Sequence, residues 1–170
     1  MQIDLRVAQL LSSRICHDMV GPIGAINTGL ELIAEGLDDD GAAKELTVRS
    51  AAEANLRLSF YRAAFGYGSS TLDSSSWKLS LEETRNLAAG FLKSSKVQLE
   101  WQELPPDLTG QAVPDAIKII LNLIIIAYES LPRGGNVCLS FAMLKEGFGV
   151  GLTLSGEGAT LREDLRIALQ

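Results

Sequence analysis

Apolar side chains recur at Ile3, Val7, Leu11, Ile15, Met19, Ile23, Ile26, Leu30, Ile33 and Leu37. Steps of three and four kept up over that length mark one long amphipathic helix with a coiled-coil-like seam. Asp38-Asp39-Asp40, set between Gly36 and Gly41, reads as a turn with an N-cap for the next helix, a metal site being the poorer alternative. From 42 to about 65, Leu46, Ser50, Ala54, Leu58, Tyr61 and Phe65 trace one face, while Lys44, Glu45, Arg49, Glu53, Arg57 and Arg62 lie largely elsewhere. Two long helices joined by a short turn make an antiparallel hairpin. A lone hairpin cannot cover both of its apolar faces. The pattern therefore points to a homodimer in which two hairpins form a four-helix bundle, with a monomeric hairpin packed on the rest of its own chain as the alternative.

After Phe65 the pattern breaks. Gly, Ser and Thr crowd residues 66–76, and residues 69–76 are expected to link a hairpin domain, 1–68, to a second domain, 77–170. Ser80-Leu81-Glu82-Glu83 is a capping box that opens a helix to about Lys93. Residues 97–101 alternate like a strand and end before Pro105-Pro106. Pro114 starts a helix carried to about Leu131, whose isoleucine-rich middle resembles a buried strand until its length is counted. Residues 136–144 and 148–154 read as a hairpin across Lys145-Glu146-Gly147, and 160–169 as a last helix. The expected class is α+β: a helical hairpin followed by a small α/β sandwich.

Composition narrows the function. At 170 residues with 46% hydrophobic content, the chain has room for one or two cored domains. A net charge of −6 lacks the basic field of a nucleic-acid binder. Cys16 and Cys138 form no C-x-x-C pair and suggest a reducing compartment, and one histidine makes a zinc site a poor expectation. No signal peptide opens the chain, and the longest apolar run, 119–127, is interrupted by Asn122 and too short to cross a bilayer. A cytoplasmic protein that does not engage a membrane is the expectation.

The single histidine, His17, lies on the first helix. At about 100° per residue it sits roughly 160° from both Ile15 and Met19, so its imidazole should face solvent. Ser13, Gly21 and Gly24 share its face, with Leu10 a turn before and Thr28 a turn beyond. Glycine costs about 1 kcal/mol against alanine inside a helix and proline about 3, yet Gly21, Pro22, Gly24 and Gly29 fall within nine residues. Pro22 also leaves the Asp18 carbonyl without its donor, which should loosen or kink that turn. Spacing alone leaves two readings open. One is a histidine raised above small neighbours so that another protein's backbone can approach; the other is a surface histidine on a helix broken near Gly21-Pro22.

His17-Asp18-Met19-Val20-Gly21-Pro22-Ile23 resembles the phosphoacceptor box of sensor histidine kinases, H-E/D-L-R-T/N-P-L, with His17, Asp18, Met19, Pro22 and Ile23 on matching positions. The longer stretch from Ile15 through Gly21-Pro22-Ile23-Gly24-Ala25-Ile26-Asn27-Thr28-Gly29-Leu30-Glu31-Leu32 is similar to the ChpT-type histidine phosphotransferases of bacterial phosphorelays. The αβαββα order of the second half resembles the ATP-binding domain of the kinases, the GHKL fold. Asn122, Leu123 and Ala127 align with that fold's N-box, but Ile126 stands where its second asparagine would help hold Mg²⁺, and an alkyl chain offers a hard cation no oxygen. Ser155, in Ser155-Gly156-Glu157-Gly158-Ala159, replaces the adenine-reading aspartate. Gly156 and Gly158 could suggest a phosphate loop but lack the lysine and spacing of one.

The resemblance implies a phosphotransferase rather than a kinase. His17 would accept a phosphoryl group from the receiver domain of a hybrid histidine kinase and pass it to the aspartate of a response regulator. Asp18 would accept a hydrogen bond from the other ring nitrogen, or else be a solvated acid at the seam's flank. Leu10, Ser13, Arg14, Val20, Gly21 and Gly24 would form the docking face, and Leu11, Ile15, Met19 and Ile26 the dimer seam. No intrinsic cofactor and no ATP are expected, the Mg²⁺ being supplied by the partner receiver. Gly21, at a place where the kinases often carry a water-positioning Thr or Asn, implies weak phosphatase activity. Competing readings are a sensor-kinase or phosphatase core, a non-catalytic dimeric receiver-binding adaptor, and an anti-sigma-type regulator on the same scaffold.

Overall fold

A computed structural model of the chain describes residues 5–66, 79–105, 114–145 and 147–168. The elements run α1 (Leu5–Ala34), α2 (Ala42–Phe65), α3 (Leu81–Leu92), β1 (Val97–Trp101), α4 (Pro114–Ser130), β2 (Gly135–Leu144), β3 (Gly147–Ser155) and α5 (Glu163–Ala168). They fall into two compact units, Met1–Arg62 and Ala63–Gln170, the division lying in the last turns of α2. The expected linker, 69–76, lies outside the described residues.

Helix α1 continues through Pro22 without interruption, so the reading of a helix broken there does not hold. It ends on Gly36 in the left-handed region, φ +73°. Gly36 N donates to the Ile33 carbonyl at 3.1 Å and Leu37 N to that of Leu32 at 2.9 Å, which closes the last turn as a Schellman motif. The aspartate run then caps α2. Asp38 accepts from the backbone of Ala43 at 2.7 Å and Lys44 at 3.3 Å, and Asp40 from Ala42 at 3.1 Å.

The helices run antiparallel and meet through small residues. Gly29 is buried, and a Cβ there would strike the Thr47 hydroxyl and stand 2.8 Å from the Ala43 carbonyl oxygen. Ala43, Ser50 and Ala54 are buried on the α2 side. This contact splits the stripe read from sequence. Met19 is buried and Leu11, Ile15 and Ile26 are half-buried, whereas Val7, Ile23, Leu30, Ile33 and Leu37 are exposed. The stripe is wider than one facing helix can cover. On α2, Leu58, expected on the inward face, is exposed, and Phe60 is fully buried instead.

In the second unit the sheet order is β1-β2-β3. β1 and β2 are parallel, with Val97 opposite Gly135 and Trp101 opposite Leu139, and α4 makes the crossover that parallel neighbours require. β2 and β3 form an antiparallel hairpin from Asn136–Ser155 to Leu144–Gly147. Alternation sorts the two faces. Val97, Val137 and Leu139 are buried, while Gln98, Glu100, Asn136 and Thr153 on the other face are exposed. The capping box is formed, Glu83 N donating to Ser80 Oγ at 3.1 Å and Ser80 N to Glu83 Oε2 at 2.7 Å. The isoleucine-rich segment is helical, and Ile117, Ile120, Leu121 and Ile124 fill the core with Phe91, Leu92 and Ala88 of α3. The last helix begins at Glu163, three residues later than its pattern suggested. Gly156 packs where a Cβ would lie 2.5 Å from the Gly134 carbonyl and 3.0 Å from Leu131, so that glycine has a steric reason.

Candidate functional site

The helical periodicity that buries Met19 turns His17 outward, and its side chain is 86% exposed. Its neighbour differs sharply. The Asp18 side chain is only 9% exposed, because one further 100° step carries it toward α2. Asp18 Oδ1 lies 3.1 Å from His17 Nδ1. Asp18 Oδ2 accepts a short hydrogen bond from the Tyr61 hydroxyl, lies 3.2 Å from Arg14 Nε one turn back, and 3.7 Å from Arg57 Nη1 across the hairpin. Arg57 is itself anchored by Glu53, at 3.0 Å through Nε and 2.8 Å through Nη2.

Burial alone would push the Asp18 carboxyl up. The Tyr61 hydrogen bond, then that of His17 and the Arg14 charge, bring it below its ordinary value. Burial, and then its bond to Asp18, push the Tyr61 hydroxyl up to about 12, so it remains a donor throughout the neutral range. An ionised carboxylate can only accept. A neutral His17 ring that keeps its bond to Asp18 therefore carries its proton on Nδ1 and its free lone pair on Nε2. Asp18 is thus not a freely solvated acid, and its carboxylate reaches its neighbour's ring.

The remaining residues of the expected face fall as follows. Leu10 and Val20 are exposed at 62% and 70%, and Ser13 is exposed. A Cβ on Gly21 or Gly24 would meet nothing within 4 Å. Arg14 is half-buried, turned to Asp18. Of the seam residues, Met19 is buried and Leu11, Ile15 and Ile26 are half-buried. Sequence reasoning missed the parts that α2 contributes. Arg57, assigned to a charged outer face, and Tyr61, read as apolar lining, both reach Asp18. Their i,i+4 spacing, at about the same distance past the turn as Asp18 lies before it, was the available signal. In the second unit, Asn122 donates both to the Lys118 carbonyl at 2.8 Å and to that of Ala64 at 3.3 Å; Ile126 is half-buried and Ser155 exposed.

A helical hairpin that bears an exposed histidine, followed by a small α/β unit, has counterparts among known proteins. Residues 81–170 match the family model described as the histidine phosphotransferase C-terminal domain. Over 135 residues, 79% of this chain, the sequence is 36% identical to the protein phosphotransferase ChpT of Brucella abortus (strain 2308), and the chain spans 60% of that protein's length. A bacterial phosphotransferase solved at 1.7 Å is similar in fold, with a TM-score of 0.70 and 30% identity over 95% of this chain and 73% of that one. The class is that of the histidine phosphotransferases, and within it the chain belongs to the ChpT-type family.

Proposed function

We propose that this chain is the phosphohistidine carrier of a phosphorelay. His17 takes the phosphoryl group from the aspartate of a receiver domain, such as that of a hybrid histidine kinase, and returns it to the aspartate of a response regulator. The observation that carries this reading is an imidazole open to solvent on one side and held through Nδ1 by a buried, ionised carboxylate on the other. Nε2 attacks phosphorus with its lone pair. The P–N bond forms as the bond to the receiver's carboxylate oxygen breaks, and that carboxylate leaves. No proton has to move: the ring becomes cationic, and Asp18 stabilises it through the Nδ1–H bond. The reverse step uses the same atoms. Such transfers run through a loose transition state, so catalysis is mainly in-line positioning and charge neutralisation. The Mg²⁺ that performs the latter belongs to the receiver.

The carrier acts as a homodimer. The apolar side chains that α1 and α2 leave exposed, Ile23, Leu30, Ile33, Val48 and Leu58 among them, support a four-helix bundle built from two hairpins. The docking face is Leu10, Ser13, Val20, Gly21 and Gly24 around His17, with Arg14 at its edge. The second unit is a GHKL-like domain that does not take ATP; the alkyl side chain of Ile126 and the short hydroxyl of Ser155 support this, and calorimetric titration with Mg-ATP checks it. The decisive experiment offers the protein a panel of phosphorylated receivers. Acid-labile, alkali-stable label should appear on the parent and vanish in His17→Gln without loss of folding. Label kept by that variant would overturn the assignment.

A further inference from the structure

We propose that Tyr61 is a positioning residue for phosphoryl transfer: its hydroxyl holds the Asp18 carboxylate in the orientation that turns Oδ1 to His17 Nδ1, and so fixes Nε2 as the nucleophile. The inference rests on the carrier role proposed for His17 and adds a residue from the other helix. Adjacent residues on a helix diverge by about 100°, so their side chains do not ordinarily face each other. The carboxylate reaches His17 because its second oxygen is tied down on the α2 side, where the Tyr61 hydroxyl makes the short bond. Arg14, one turn back on the same helix, donates to Oδ2 at 3.2 Å, and Arg57 faces it at 3.7 Å; both supply charge that keeps Asp18 ionised. Tyr61 adds the short bond that draws the carboxylate from across the hairpin. Tyr61 is 3% exposed and its ring meets Phe60 edge-on with centroids 5.9 Å apart, so the hydroxyl has little freedom to follow a rotating carboxylate. Turning Asp18 would break this short bond to a buried hydroxyl, a cost that stiffens the carboxylate's orientation.

Tyr61→Phe removes one oxygen, keeps the buried ring, and changes no charge. Because His17 is the chain's one histidine, ¹⁵N-edited NMR of the imidazole reads a single ring. The parent should show Nδ1 protonated and Nε2 bare. In Tyr61→Phe the two nitrogens should drift toward averaged values, and transfer from a phosphorylated receiver should slow by about tenfold with the helical circular dichroism retained. Asp18→Asn should give the same loss of tautomer preference. A Tyr61→Phe ring identical to the parent's would overturn the proposal, as would slower transfer with unchanged nitrogens, which marks a merely structural tyrosine. Should Tyr61→Phe unfold, the parent still decides: its Tyr61 hydroxyl proton should resonate at low field, exchange slowly, and move on Asp18→Asn, and failure to observe it would be equally fatal. A parent that takes no label from any receiver would sink the carrier reading alone, since the tautomer measurement does not depend on transfer.

Discussion

The two units of this chain solve the problem of burying apolar surface differently. In the α/β unit Ile117, Ile120, Leu121, Ile124, Val137 and Leu139 are all buried, and one polar sheet face is left to water. In the helical unit the buried positions are mostly small or polar, Gly29, Ala43, Ser50 and Ala54, with Met19, Phe60 and Tyr61 the large exceptions. Its large aliphatic side chains, among them Val7, Val20, Ile23, Leu30, Ile33, Val48, Leu56 and Leu58, are on the outside. Exposed apolar surface of that extent marks an interaction site. The unit that bears His17, proposed as the phosphoryl carrier, is also the one that leaves most aliphatic surface uncovered, and under the proposed dimer its stability should depend on association in a way that the α/β unit's does not.

The largest effect should come from Met19→Glu. Met19 is 7% exposed, and a carboxylate placed there would be buried where a thioether now sits. A loss on the order of 4 kcal/mol should unfold the hairpin. Thermal melts followed by helical circular dichroism check this, and a melt unchanged from the parent would break the contrast from the side of the hairpin.

Paired surface substitutions sharpen it. Leu30 and Ile119 are similarly exposed, at 52% and 57%. If two hairpins pair as proposed, Leu30→Glu should dissociate them and lower the mass by light scattering, while Ile119→Glu in the α/β unit should change neither mass nor melting temperature appreciably. Equal behaviour of the two variants would remove the reason for treating the hairpin's apolar face as special.

What was legible in the sequence follows the same division. The limits of α2 and β1 could be read closely because periodicity, caps and turn residues are local signals, and the Ser80 capping box formed as its spacing required. α4 was readable in spite of its isoleucines because its length exceeds that of ordinary strands. The Asp18 network was not legible. It depends on which residues of α2 fall opposite α1, and a tyrosine in an apolar stripe gives no sign that its hydroxyl is the part that matters. Nor could the outward aliphatics be separated from the inward ones, since both obey the same steps of three and four.

Glycine chemistry divides the hairpin again. Gly29→Ala should destabilise by about 2 kcal/mol, because the new methyl meets the Ala43 carbonyl and the Thr47 hydroxyl, itself bonded to that carbonyl at 2.8 Å. Denaturant titration checks the sign. A stabilised variant would mean that the helices part at that point at little cost.

The charge network should leave a pH signature in the hairpin. Asp18 is held below its ordinary 3.8, so its contribution is present above that value and is lost as the pH falls through the depressed one. Tyr61 is raised from 10.0 to about 12, so its contribution is complete below 10 and disappears as the pH climbs toward 12. Hairpin stability should therefore fall away at both ends. Tyr61→Phe should remove the alkaline fall, and a parent whose melting temperature is flat between pH 9 and pH 12 would contradict the arrangement.

The smallest effect is the most informative about function. Gly24 lies inside α1 with open space where a side chain would go, so folding gives no reason for a glycine there. Gly24→Ala should stabilise the helix by up to about 1 kcal/mol, through propensity and the reduced freedom of the unfolded chain. Gly24→Arg should leave folding and association nearly intact, since its side chain points away from α2. The same bulk beside His17 should obstruct an approaching receiver and slow transfer by about tenfold or more, an expectation that belongs to the docking face and not to the fold. Gly29 should show the opposite signs, a loss of stability from the smallest side chain. If Gly24→Arg unfolds the hairpin, or transfers as fast as the parent, the small face around His17 is not a docking surface.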